Sequence, residues 1–137
     1  MSKRKPKSPP SPVTNLKTIL VDRCVWFLFW RIKMAKAARL TWTLPTIRVD
    51  GSALDATDIA RIDVFDDRNP GGAIAQMGAA TSFTTGTLDV GQHNFTIDVV
   101  DTQGHVSSLS NVATVTVPAV VAAPSPVTDL SAVLVDV

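Results

Sequence analysis

With 137 residues, 45% of them hydrophobic, the chain has room for one domain of ordinary size, a real core and short tails. All twelve acids are aspartate and neither Glu nor Tyr occurs. Asp disfavours helix interiors and suits turns, so the composition leans away from helical folds and towards all-β. The net charge of +1 conceals an asymmetry: residues 1–39 hold ten of the thirteen Lys and Arg against Asp22 alone, whereas residues 40–137 hold Arg48, Arg61 and Arg68 against eleven Asp. A basic N-terminal arm ahead of an acidic body points to an acidic partner for the arm, the alternative being a plain solubilising tail.

In chain order, residues 1–11 carry Lys3, Arg4, Lys5 and Lys7 among Ser and Pro, and read as a disordered or extended arm. Its basic start is followed by prolines rather than by an apolar stretch, so no signal peptide is read. A first strand is expected over Val13–Val21. The segment 23–38, "RCVWFLFWRIKMAKAA", comes next and contains two of the three tryptophans. Its apolar run "CVWFLFW" is far shorter than the ~20 residues of a membrane helix, and Arg23 and Arg31 bracket it. "ARLTWTLP" then alternates, with Leu40, Trp42 and Leu44 on one face, and Pro45 ends it. "DGSALDATD" reads as a loop, "IARIDVF" as a strand, "DDRNPGG" as a turn, and "AIAQM" and "TSFTT" as short strands. "HNFTIDVVD" places Phe95, Ile97 and Val99 inward against Thr96 and Asp98 outward. "TQGH" turns the chain into a last strand, "NVATVTV", with Val112, Thr114 or Ala113, Val115 and Val117 as its pattern residues. Seven short strands with turn signals at this spacing indicate a sandwich.

"ARLTWTLP", "IARIDVFDD" and above all "LDVGQHNFTIDVVDTQGHVSSLSNVATVTV" resemble fibronectin type III and related immunoglobulin-like modules. The resemblance covers residues 12–118. It implies a seven-stranded all-β sandwich with Trp42 as the central aromatic of the core, Leu88 as the plug near a corner, and Phe95, Ile97 and Val99 as core of the sixth strand. Gly91 is expected in a turn conformation closed to other residues, and Asp101 and Gly104 are expected to shape the last hairpin. Two departures stand out. The corner tyrosine of these modules falls at His93, so its tether is missing or made by an imidazole. Residues 23–38 also exceed what the family needs between its first two strands, an aromatic insertion without a polar face over 24–30. The readings open for it are a hydrophobic plug into a partner, an extension packed on its own domain, or insertion at a membrane surface.

No catalytic constellation is found. Cys24 is alone, which excludes an intrachain disulfide, and it lies in an apolar run that would raise its pKa. His93 and His105 lack Cys or Glu at metal spacing. Asp63, Asp66, Asp67 and Asn69 offer oxygens for calcium without a regular loop signature. Ser107, Ser108 and Ser110 read as polar residues of the last strand. No enzyme activity, cofactor, metal or small-molecule substrate is expected.

The remaining signal is a repeat. "PSPVTNLKTILVD" from Pro10 and "PSPVTDLSAVLVD" from Pro124 are identical at nine of thirteen positions. The second copy reads as a linker and stub of a longer array, as the start of a module completed in a longer product, or as an orphan strand pairing with a neighbouring subunit. The third is favoured, because uncovered β-formers are an aggregation hazard and strand addition is an established recognition mode. The organisation is therefore an arm over 1–11, a domain over 12–118 with the insertion 23–38, and a linker with a strand-like segment over 119–137. Expected partner-binding residues are Lys3, Arg4, Lys5 and Lys7 in the arm, for an acidic protein surface or nucleic acid. Trp26, Phe27, Phe29 and Trp30 in the insertion and Val127, Leu130, Val133 and Val135 at the C-terminal end are expected to meet other copies or other proteins of an assembly. By resemblance, modules with such basic tails and cross-subunit strands look like those of bacteriophage virions, in capsid decoration, head fibres or tails. The alternatives are an extracellular or cell-surface adhesion or carbohydrate-associated module of bacteria, or a membrane-active segment on a carrier domain.

Overall fold

The structure, a computed structural model, describes residues 7–26 and 32–119, and the main chain alone for 23–26 and 32–34. It is all-β. Seven strands run β1 (Thr14–Trp26), β2 (Ile32–Thr43), β3 (Ile59–Asp66), β4 (Ala75–Met77), β5 (Ser82–Thr84), β6 (Gly91–Asp101) and β7 (Ala113–Val117). They form two antiparallel sheets, one ordered β1-β2-β5 and the other β4-β3-β6-β7. A 3-10 turn, Ala56–Asp58, precedes β3.

Period-two alternation explains which faces meet, since successive strand side chains point to opposite sides. Ala38, Leu40 and Trp42 of β2 join Val13 and Leu16 on one side of the core. Ile62 and Val64 of β3, Phe95, Ile97 and Val99 of β6, and Ala113 of β7 supply the other. Leu54 from the β2–β3 connection is buried in the same cluster, and Leu44, Phe83 and Leu88 pack against it from its margins. Each fully buried Leu, Ile, Val or Phe contributes about 1.5–3 kcal/mol, so this cluster dominates the stabilising side of the fold.

Three strands differ from their sequence readings. The first runs to Trp26 and the second starts at Ile32, paired in register from Lys17↔Thr41 to Trp26↔Ile32. The described main chain of 23–38 is thus a lengthening of one hairpin. The apolar run conceals this, because a strand without alternation has no period to read. The last strand starts at Ala113, with Ala113 and Val117 buried, while Val112 is 58% exposed and points away from the core. The sequence reading grouped Val112 with Val115 and Val117, but period two puts Ala113, Val115 and Val117 on the core face and Val112 on the other.

Near its start β1 has a bulge between Thr14 and Lys17, and Asn15 there adopts φ 59°. Asn is among the few residues that tolerate this left-handed region. The bulge lets Val13 and Leu16, three apart, both enter the core.

Candidate functional site

The chain entering β1 is seated by a polar cluster that the sequence did not reveal. Pro9 O accepts from Val49 N at 3.0 Å and Ser11 N donates to Ile47 O at 3.2 Å, so residues 9–11 pair with 47–49, with Pro10 buried between them. Beneath lies Arg48, 2% exposed. Its Nη1 donates to Ser8 O at 2.8 Å and to Asp101 Oδ2 at 2.7 Å, and its Nη2 lies 3.8 Å from Asp58 Oδ2. Asp101 also holds its own turn: Oδ1 accepts from the main-chain N–H of Gln103 and of His105, each at 2.9 Å, and Oδ2 lies 3.0 Å from His105 Nδ1. Burial pushes the Asp101 carboxyl up, but the Arg48 hydrogen bond and those of His105 and Gln103 outweigh it and hold the group well below the ordinary carboxylate range.

A few residues further along, Asn111 grips β1 itself. Its Oδ1 accepts from Leu16 N and its Nδ2 donates to Leu16 O, both at 3.0 Å. A side-chain amide reproduces one residue of strand pairing and joins β1 to the segment before β7. Asn111→Ala leaves the Leu16 N–H and C=O without these partners in a half-buried place. The expected loss is about 1–3 kcal/mol, read as a lower denaturant midpoint at unchanged slope.

Ser107 and Ser110 perform a related task on β6. Ser110 Oγ accepts from Ile97 N at 3.0 Å and Ser107 Oγ from Val99 N at 2.9 Å, while Ser110 N donates to Ile97 O and Ser107 N to Val99 O. These serines lie before β7, not on it, and serve the stretch of β6 that β7 does not reach. Ser108 is exposed.

At the opposite corner, His93 is buried against Phe95, the rings stacked at 6.1 Å. Nδ1 lies 2.7 Å from Asp66 Oδ2, and Nε2 lies 2.8 Å from the main-chain oxygen of Asp89. The imidazole thus links the Asp66 carboxylate to the main chain at Asp89. Gly91 in this corner has φ 124°, a conformation L side chains rarely adopt, as its sequence reading required. Of the four candidate calcium ligands, Asp66, Asp67 and Asn69 line one concavity, but the three acids are already engaged. Asp66 engages His93, Asp67 accepts from Asn94 N and Nδ2, and Asp63 accepts from Arg61 Nε at 2.9 Å. Among the described residues no group of three or more His, Cys, Asp or Glu is placed to hold a metal.

Among the described residues Asp98 is a buried acid with a carboxylate as its neighbour. Asp98 of β6 stands opposite Asp63 of β3, and both are buried. Asp98 Oδ1 finds no hydrogen-bond partner among the described residues. Burial first, then the charge and hydrogen bond of Asp63, push the Asp98 carboxyl up to about 6, against a smaller opposing pull from Arg61.

Concavities flank these clusters. One of about 340 Å³ lies at the His93 corner between Asp66, Phe83 and Leu88. Another, about 560 Å³, lies over the outer face of the four-stranded sheet between Phe65, Pro70, Thr96, Leu109 and Val112. A third, about 520 Å³, runs along the start of β1 between Val13, Leu16, Leu109 and Asn111. Among the described residues no helix is long and apolar enough to cross a membrane.

Of the residues expected to bind partners, Lys7 is exposed and Trp26 is described by its main chain alone, at the end of β1 opposite Ile32. Lys3, Arg4, Lys5, Phe27, Phe29, Trp30, Val127, Leu130, Val133 and Val135 lie outside the described residues. Trp42, Phe95, Ile97 and Val99 are buried in the core, and Leu88 is half-buried against it.

The class that emerges is an all-β module of two antiparallel sheets, tied at one end by Arg48, Asp101 and Asn111 and at the other by His93 and Asp66. No family model and no curated protein matches the chain. Among solved structures it is similar to pectate lyase Pel3 from Pectobacterium carotovorum, at a TM-score of 0.49 and 20% identity over 80% of this chain and 28% of that one. The chain thus spans less than a third of that enzyme's length.

Proposed function

We propose that this chain is a non-enzymatic structural and binding protein that assembles through its ends, and that its setting is a bacteriophage virion, as a capsid-decoration, head-fibre or tail-associated module. The division of strands into β1-β2-β5 and β4-β3-β6-β7 supports the resemblance to fibronectin type III modules, from which the virion setting is drawn.

One observation carries the assembly reading. β1 is an edge strand thirteen residues long, and apart from the side-chain grip of Asn111 at Leu16 no strand among the described residues pairs its outer side. Long edges present rows of N–H and C=O groups that template pairing with another chain. This one continues a basic arm whose Lys7 is exposed. The buried ionic groups Arg48, Asp101, His93 and Asp66 are engaged with one another as struts. None forms a nucleophile–base pair.

The test is the mass in solution of the intact chain beside versions lacking 1–11 or 124–137. The expected result is an oligomer that shrinks when either end is removed. Monomers throughout, at every concentration, would sink the assembly reading and direct attention to the loops.

A further inference from the structure

The seat that holds β1 imposes a specific demand on any segment that fills it, and the repeat at the C-terminal end can be compared with that demand position by position. Within Pro10–Asp22 three side chains are buried, those of Pro10, Val13 and Leu16. The copy keeps all three identities, as Pro124, Val127 and Leu130. The four differences fall elsewhere. Lys17 and Ile19 are exposed and Thr18 is half-buried where the copy has Ser131, Val133 and Ala132. Asn15 holds the φ 59° of the bulge, and the copy has Asp129, which tolerates the same left-handed region.

Two side-chain contacts remain, Lys36 with Asp22, which the copy keeps as Asp136, and Asp50 with the Ser8 hydroxyl, which the copy lacks at Ala122. The other contacts of the seat are made to main chain and are indifferent to side-chain identity. Asn111 grips the N–H and C=O of residue 16, Ile47 and Val49 pair with residues 11 and 9, and Arg48 donates to the oxygen of residue 8. The segment 122–136 offers the same groups in the same order.

We infer that the β1 seat is a receptor for the 124–136 segment of a second copy of this chain, so that copies link by strand exchange. This rests on the assembly reading above and names its contact. Because both segments bring the same buried side chains and main-chain groups, exchange conserves the buried contacts of residues 10–22 but not the β1–β2 pairing of residues 23–26, and its balance is set by that difference and by effective concentration. The chain's own β1, tethered to β2 as a hairpin, holds the seat in dilute solution. The copy takes it when chains are concentrated or arrayed.

The full-length chain tests this through reciprocal variants, Leu16→Asp, Leu130→Asp and the double variant, each followed by solution mass and thermal unfolding. Leu130→Asp is expected to keep the thermal transition and lose assembly, since it changes only the donor. Leu16→Asp is expected to keep a transition because the copy replaces the damaged strand, and to shift the mass to multiples of the chain. The double variant is expected to lose the transition. Equal loss of the folded state in Leu16→Asp and the double variant overturns the inference, as does a Leu16→Asp variant that folds as a monomer, which would place the copy in its own seat. A chain that assembles equally well with Leu130→Asp overturns strand exchange and leaves assembly standing; a chain that never assembles removes both.

Discussion

Replacing Arg48 by leucine is expected to destabilise the fold by about 3–5 kcal/mol, the range for removing one partner of a buried ion pair, out of the roughly 5–15 kcal/mol that holds a domain of this size. The cost arises less from the lost attraction than from what is left behind. Asp101, with no exposed side-chain area, keeps its negative charge in the interior with His105 as its one remaining side-chain partner. Ser8 O also loses its donor, loosening the chain ahead of β1. Asp101→Asn in the same background removes the stranded charge yet keeps an oxygen for the N–H groups of Gln103 and His105. The double variant is therefore expected to recover part of the loss, a coupling that a double-mutant cycle measures.

The pH dependence has a definite sign. In the intact protein Asp101 titrates below the ordinary carboxylate range, so its stabilising contribution is complete above about pH 4, the unfolded value, and is lost as the pH falls through the folded one. Without Arg48 the buried carboxyl protonates more readily, and the gap between variant and parent narrows in acid. Urea unfolding at neutral and acidic pH checks both points. A loss below about 1 kcal/mol, the worth of an exposed pair, or a gap that does not change with pH, would show that the buried pair is not a strut.

What the sequence disclosed and what it hid divide along one line. Leu40 and Trp42 on β2, and Phe95, Ile97 and Val99 on β6, alternate with polar residues, and alternation is a local signal that reaches the fold directly. The corner was legible for a similar reason, since Gly91 and His93 sit two residues apart in a stretch whose spacing resembles known modules. Arg48 is different. It stands alone in the loop after Pro45, and its partners Ser8, Asp58 and Asp101 are scattered over most of the chain. No spacing announces a cluster assembled by four separate segments. Ser107, Ser110 and Asn111 look like ordinary loop polars, and only the pairing of β6 and β1 shows that they stand in for missing strand neighbours. The longer hairpin was hidden for the opposite reason: "CVWFLFW" is too uniformly apolar to carry a period, so its continuation of β1 as far as Trp26 rests on register alone.

Asp98 shows how register converts an unremarkable residue into a liability, and removing its charge is expected to raise stability at neutral pH. Alternation places it on the outer face of β6, where an aspartate ordinarily sits in water. Cross-strand pairing sets it opposite Asp63, which is held by Arg61, and leaves its Oδ1 buried without a partner among the described residues. Like charges facing each other across a strand pair are destabilising. With its folded pKa at about 6 and an unfolded value near 3.9, the native protein binds a proton between these limits that the unfolded chain does not. Stability therefore falls as the pH rises from about 4 through about 6, and the penalty is complete above that. Holding the ionised carboxyl in this place costs about 1–3 kcal/mol. Asp98→Asn is expected to gain that amount near pH 7, to gain almost nothing near pH 4, and to flatten the curve between. Its amide also supplies a donor for the Asp63 carboxylate. Unfolding free energies of both proteins across this range decide the matter. A variant no more stable than the parent at neutral pH would mean that Asp98 finds in solution the partner it lacks here, with water reaching the outer face of the sheet.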